Sequence, residues 1–159
     1  MTDEHTHHDR LHVVLRAHAL DEPVVRQLIE ELNAELDEMY PEPGANHFSL
    51  PTADEFLVAW DGDVPVGCGA VRVIEAGVAE IKRMYVRPGQ RGRHVGGMIL
   101  QSLEATARGL GCHRLVLETG KRQNAAMALY LRHGFGEIPC WGEYLDSAAT
   151  STCLGKDLH

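Results

Sequence analysis

The chain has 159 residues, 44% of them apolar and 24% charged, which suits one globular domain and excludes a disordered chain. Fifteen Lys and Arg stand against 23 Asp and Glu, a formal net charge of −8, which argues against a general nucleic-acid binder. No apolar run approaches the ~18 residues of a membrane span, and the polar, acidic start Met1-Thr2-Asp3-Glu4-His5 is neither a signal nor a transit peptide, so a cytoplasmic protein without membrane attachment is expected.

Residues 1–10 read as a disordered, His-rich tail, because His5, His7, His8 and His12 have no acidic helix or cysteine partner to fix them. Residues 11–159 read as a single domain. A first strand is His12-Val13-Val14-Leu15-Arg16. Asp21 is the expected N-cap of a helix with Pro23 in its first turn. Val25, Leu28, Ile29, Leu32 and Leu36 recur along that helix at helical spacing, and Tyr40-Pro41-Glu42-Pro43-Gly44 ends it. A loop or short helical segment covers 45–53.

Phe56–Trp60 is a strand, Asp61-Gly62 a hairpin turn, and Val64–Val73 the return strand, where Gly67 and Gly69 predict a bulge or a close backbone approach. A third antiparallel strand runs from Val78 to Val86. Val95, Ile99, Leu103, Ala107 and Leu110 mark a second helix stopped by Gly111. Leu115-Val116-Leu117 is a short strand, Asn124 caps a helix through Leu131, and Gly134 closes it. Phe135–Ile138 and Ser151–Leu154 form a final strand pair. The order β-α-β-β-β-α-β-α-β-β predicts an α+β fold with one mixed sheet. Cys68, Cys112, Cys140 and Cys153 form no CxxC pair and fit no zinc module, so they read as buried or half-buried thiols in a reducing compartment, with no metal site.

The sharpest local feature lies between Lys82 and Gly97. No acid occurs from Ile81 to Leu103, while Lys82, Arg83, Arg87, Arg91 and Arg93 are basic. This island sits where a strand hands over to a helix through Gly89-Gln90-Arg91-Gly92-Arg93-His94-Val95-Gly96-Gly97. Glycines admit a ligand close to the backbone, and a helix start offers N–H groups and a favourable dipole to an anion. The loop reads as a phosphate cradle, with a solvated basic loop as the alternative. There is no GxxxxGK[ST] and no GxGxxG after the first strand, which excludes the two common nucleotide loops.

The run Ala79 to Gly96 resembles the acetyl-CoA motif, Q/R-x-x-G-x-G/A after a strand ending in Val-x-Pro, of the GCN5-related N-acetyltransferase (GNAT) superfamily. Glu118-Thr119-Gly120 and Ala128-Leu129-Tyr130-Leu131-Arg132-His133-Gly134-Phe135 resemble its next segment. The similarity extends from about Leu11 to Lys156, with one departure: His94 occupies the middle glycine of the motif.

The resemblance implies a mixed, mostly antiparallel sheet splayed open between the strands Val78–Val86 and His113–Thr119, with helices on both faces. The pantetheine arm of acetyl-CoA would lie in that gap along Met84, Tyr85 and Val86. The pyrophosphate would take the N–H groups of Arg91, Gly92, Arg93, His94, Val95, Gly96 and Gly97. Asn124 would be helix cap, cofactor contact or both. Tyr130 matches the tyrosine that protonates the leaving thiolate, with a core tyrosine as the alternative. Glu80 matches the base of histone-acetylating members, with a sheet glutamate paired to Lys82 or Arg83 as the alternative, and Glu118 competes from the next strand.

The segment 21–63 carries twelve acids against one base, Arg26, and forms the acceptor side in relatives. It reads either as an acidic mouth for cationic amines or as a solvated helix face. Tyr40 and His47 are candidate loop contacts. The expected activity is transfer of an acetyl group from acetyl-CoA directly to a primary amine, on a small molecule or a peptide, by a monomer or homodimer. The rival reading is a non-catalytic CoA-binding regulatory or structural module.

Overall fold

The computed structural model describes residues 12–42, 50, 52–147 and 149–159. The His-rich tail, His47 and most of the loop at 45–53 lie outside them. Among the described residues, seven strands form one sheet in the order β1-β2-β3-β4-β5-β7-β6. The strands are β1 (Val13–Ala17), β2 (Glu55–Asp61), β3 (Val64–Glu75), β4 (Val78–Val86), β5 (Arg114–Gly120), β6 (Gly136–Ile138) and β7 (Ser151–Asp157). Helices α1 (Pro23–Met39), α2 (Val95–Gly109) and α3 (Asn124–Arg132) complete the α+β architecture expected from the sequence. None of these helices is long and apolar enough to cross a membrane.

Strand side chains alternate between faces, so the sheet sorts its own core into two layers. On one face Leu57, Ala59, Val71, Ile81 and Leu117 pack against Ile99, Leu100, Leu103 and Ala107 of α2. On the other, Phe56, Val58, Cys68, Ala70 and Tyr85 pack against Val25, Leu28 and Leu32 of α1. These helix positions recur every three or four residues, the stripe that buries one face of a helix.

Helix α1 starts one residue later than its sequence suggests. Glu22, not Asp21, is the N-cap, with φ −70° and ψ 141°. Pro23 forces this, because the residue before a proline is driven into extended backbone. The Glu22 carboxylate turns back to accept from the Ala19 amide at 2.5 Å. Similarly, Gln123 caps α3 and Asn124 is already its first helical residue. The role expected of Asn124 as a cap is therefore corrected.

The antiparallel ladder β2-β3-β4 carries a bulge at the position flagged by Gly67 and Gly69. Ala70 pairs with Lys82 but Cys68 with Tyr85, so Arg83 and Met84 together oppose Gly69. Arg83 has φ 59°. Its carbonyl accepts from the Cys68 thiol at 3.3 Å. A Cβ on Gly69 would lie 2.7 Å from both Ile99 Cγ2 and Met84 Sδ, so α2 reaches the sheet here only over bare backbone. Beyond the bulge, β4 parts from its other neighbour. Parallel pairing of β4 with β5 runs from Val78↔Arg114 to Ile81↔Leu117 and stops.

The last two strands pair as expected, Gly136↔Gly155 through Ile138↔Cys153. Strand β7 is longer than its sequence suggests and inserts between β5 and β6, pairing with β5 from Arg114↔Asp157 to Gly120↔Ser151. The cysteine expectation fails at this edge. Cys140 and Cys153 form a disulfide with Cα atoms 5.2 Å apart. Ile138 lies opposite Cys153, so a chain leaving β6 brings a cysteine two residues on within bonding reach. Cys68 and Cys112 are free and buried, and burial pushes the Cys68 thiol up to about 12. The thiol argument for a reducing compartment therefore falls.

Alkylation of the unfolded, unreduced protein followed by mass measurement should label two of the four cysteines, and all four after reduction. Four labels before reduction would contradict the Cys140–Cys153 bond. Reduction should also lower stability by roughly 3 kcal/mol, the size expected for a loop of about this length.

Candidate active site

Where β4 and β5 separate, the sheet leaves a cleft of about 430 Å³. Strand β4 and the loop after it form one wall, α3 the other, and Leu32, Glu35 and Met39 of α1 close the side. Of the residues expected at the cofactor, Met84, Tyr85, Val86, Arg91, Gly92, His94, Val95, Gly96, Gly97, Asn124 and Tyr130 all line this cleft. Arg93 does not. Its guanidinium turns to Asp61 at 3.1 Å and Gln90 at 2.5 Å, so its side chain braces the loop, while the expectation for Arg93 concerned its backbone N–H. Tyr85 sends its ring into the α1 core, with its hydroxyl 3.3 Å from Glu31.

The end of the cleft is the N-terminus of α2. Val95, Gly96 and Gly97 are its first residues, with no acid in the first turn, so their N–H groups have no intrahelical carbonyl and sit at the positive end of the dipole. His94 is the N-cap, in the left-handed region at φ 63° and ψ 20°. That conformation explains why the motif carries glycine there. Histidine adopts it more readily than most residues, at a cost of about 1–2 kcal/mol.

The basic island is wired into the acidic helix. Arg87 forks onto Glu31 through contacts of 2.9 and 2.7 Å. Arg91 reaches Glu35 at 2.6 Å and the Val86 carbonyl at 3.0 Å. The Arg87 guanidinium holds the Glu31 carboxyl below the usual glutamate range. Glu31, Glu35 and Asp61 therefore brace the loop instead of forming an acidic mouth. Tyr40 is a brace too. Its buried hydroxyl accepts from the Arg122 amide at 2.7 Å, and the Arg122 guanidinium reaches Glu42 at 2.9 Å, tying the end of α1 to the turn before α3.

Beyond Tyr130 the cleft meets a second pocket, of about 70 Å³. Tyr130 lines both cavities and is 5% exposed. Burial, with the charge of Glu118 adding to it, raises its phenol pKa, so the proton stays on. Leu32 and Leu36, the stretch Ile81 to Met84, Glu118, Thr119, Gln123 and Tyr144 complete the small pocket. Glu118 accepts from the Ser151 hydroxyl at 2.5 Å. Burial raises its carboxyl above the ordinary value of 4.5, against the opposing pull of Ser151 and Lys82.

Glu80 is absent from the lining of either cavity. It is 1% exposed, with one carboxylate oxygen 2.6 Å from the Tyr144 hydroxyl and the other 3.2 Å from Arg72 Nε. Its ionic partner is thus Arg72, its direct cross-strand neighbour, where the alternative reading of Glu80 as a sheet glutamate had named Lys82 or Arg83. Lys82 pairs with Glu143 at 3.3 Å and lies 5.7 Å over the Tyr144 ring. Burial and the bond to Glu80 push the Tyr144 phenol far above its usual range. Tyr144 carries no sequence signal, because it sits in a single helical turn (Gly142–Ser147) between the last strands, outside any periodic run. Among the described residues, no cluster of three or more His, Cys, Asp or Glu is placed to hold a metal ion.

Comparison with known proteins agrees with this geometry. The profile of the Acetyltransferase (GNAT) family matches residues 25–135. The chain is 39% identical over 136 residues to an IAA acetyltransferase of Azospirillum brasilense, covering 82% of this chain and 88% of that protein. The crystal structure of a putative acyl-CoA N-acyltransferase from Klebsiella pneumoniae is similar at a TM-score of 0.80 and 32% identity, over 92% of this chain and 98% of that one. An N-acetylglutamate synthase from Neisseria gonorrhoeae, solved with coenzyme A and N-acetyl-glutamate, matches at a TM-score of 0.69 and 26% identity, over 92% of this chain and 35% of that longer one.

If the α1 acids brace the loop, Glu31→Gln should weaken acetyl-CoA binding about 2–5-fold in calorimetry, the scale of a partly exposed ion pair. Tighter binding by this less acidic variant would show that net charge, not loop geometry, governs the site.

Proposed function

The chain belongs to the acetyltransferase (GNAT) family, an acetyl-CoA-dependent N-acyltransferase acting on an amine, and from this we propose how its own residues carry the transfer. The backbone of Met84 and Val86 holds the pantetheine arm, as an added strand would be held. The amides of Val95, Gly96 and Gly97 take the pyrophosphate, with Arg91 beside them. Similar structures solved with coenzyme A or acetyl-CoA support this co-substrate.

The observation that carries the reading is Tyr130 at the junction of the two cavities, with Glu118 facing the smaller one. Transfer to an amine requires a proton to leave the nitrogen and a proton to reach the departing thiolate. Tyr130 stays protonated at neutral pH, so its hydroxyl is available to hydrogen-bond the departing sulfur and to pass it a proton as the carbon–sulfur bond breaks. Glu118, with its carboxyl raised by burial, is matched to accepting the amine proton. Glu80 acts one step behind, as a positioning residue that holds the Tyr144 hydroxyl at the pocket. A non-catalytic binding module would leave the half-buried Glu118 and the buried Tyr130 beside the cleft without a use.

Tyr130→Phe should lower kcat ~10²–10⁴-fold, the usual loss for one acid catalyst, with little change in acetyl-CoA affinity. Unchanged turnover would leave Tyr130 as a packing residue only.

Glu118→Gln and Glu80→Gln separate the two carboxylates. The acidic limb of kcat/KM in the parent should lie above the ordinary glutamate value of 4.5 and vanish in Glu118→Gln. Glu80→Gln should keep that limb and lose turnover through Tyr144. The sign for stability follows from the raised pKa. What the protonated Glu118 adds is fully present below its unfolded value and is lost as pH rises through its folded value. Glu118→Gln should therefore hold or raise the melting temperature at neutral pH. A variant that keeps the limb, or that unfolds readily at neutral pH, would return the base role to Glu80.

A further inference from the structure

The small pocket carries charge of both signs. Glu118 faces it from β5, while Lys82 and Arg83 face it from β4. An acceptor that is only an amine complements the carboxylate and offers no anion to the guanidinium of Arg83, while Lys82 already sits 3.3 Å from Glu143.

Arg83 combines two costs. Its backbone lies in the left-handed region at φ 59°, in the middle of a strand, a strained arrangement of the kind that tends to collect at functional sites. Its guanidinium is also held where burial pushes its pKa down, against the opposing influence of Tyr144 and Glu143. The bulge is pinned from behind by the Cys68 thiol on the Arg83 carbonyl, so the strain belongs to the fold. Lys82, the preceding residue, is 7% exposed with its ammonium beside Glu143 and the Tyr144 ring. The fold thus keeps the guanidinium of Arg83, and the Lys82–Glu143 pair beside it, in the β4 wall of the small pocket.

We propose that the acceptor is zwitterionic, an amine with a carboxylate a few bonds away, and that Arg83, with Lys82 beside it, seats the carboxylate while Glu118 faces the ammonium. This rests on the acetyl transfer proposed above and names its substrate class. A guanidinium presents parallel N–H donors that match the two oxygens of a carboxylate. The carboxylate brings the negative charge that the β4 wall favours, and the ammonium brings the positive charge that Glu118 favours. A polyamine brings no anion for the guanidinium of Arg83. The small pocket, about 70 Å³, also favours a compact acceptor.

The test is thiol release from acetyl-CoA with a panel of α-amino acids, each beside its carboxamide and its decarboxylated amine, and with spermidine. The wild-type protein should use the best amino acid with a kcat/KM ~10–100-fold above its carboxamide, the scale of a lost bond to a charged group. Arg83→Met should raise the KM for that amino acid ~10-fold or more and bring it level with the carboxamide, with the KM for acetyl-CoA unchanged. Arg83→Lys should recover part of the preference. If Arg83→Met fails to fold, the wild-type ratios alone decide. Equal or better use of carboxamides or spermidine by the wild type overturns the proposal and leaves acetyl transfer standing. An intact preference in folded Arg83→Met overturns the assignment of Arg83. Bound acetyl-CoA with no thiol release on any amine overturns the transfer reading itself, and this proposal with it.

Discussion

The parallel pairing of β4 with β5 lasts for four residue pairs, Val78↔Arg114 to Ile81↔Leu117, and the site exists because it stops there. The stop is enforced from the opposite edge of β4. Two residues, Arg83 and Met84, oppose Gly69 alone, and a bulge of this kind bends its strand and raises its twist. From Lys82 onward β4 follows β3, while β5 continues with β7. The backbone of a central strand is thereby left open to a ligand without exposing a true sheet edge to solvent. Glycine at position 69 matters to this arrangement, since α2 packs directly over it through Ile99 and Leu103.

Electrostatics then shape the opening without giving it a large field. A chain of net charge −8 would repel a polyanion, and the local run of bases offsets that. The bases are not loose, however. Arg87, Arg91 and Arg93 are each tied to an acid of α1 or β2, so the loop is held in place before a ligand arrives. Preorganisation of this kind lowers the ordering cost of binding. At the far end Glu118, Tyr130 and Tyr144 all have pKa values raised chiefly by burial, which groups the proton-moving side chains where the sheet has parted.

Much of this was legible in the residues. Alternating apolar runs located β2, β3 and β4, and the glycines at 67 and 69 marked the bulge. The expected cofactor residues gather in one cleft, Arg93 excepted. The misses have local causes. Pattern names the face a residue uses but not its neighbouring strand, so the insertion of β7 between β5 and β6 and the Cys140–Cys153 bond were invisible. Charge sums show an island and an acidic helix but not their pairing, so neither the acidic-mouth nor the solvated-face reading of that helix contained the bonds from Glu31 and Glu35 to the loop arginines. Tyr144 comes from an aperiodic turn brought over the sheet by tertiary structure alone. Glu80 sits in a motif position, yet only packing reveals that Arg72 and Tyr144 close it off.

The most direct test of the central claim, that the parted sheet seam receives acetyl-CoA as a substitute strand, is residue-resolved amide hydrogen exchange with and without saturating acetyl-CoA. The amides of Met84, Val86, Val95, Gly96 and Gly97 should slow on binding, while those of Val78–Ile81, already paired with β5, should change little. Protection that falls outside the cleft, or slowing spread evenly over the whole sheet with none at these amides, would contradict the account.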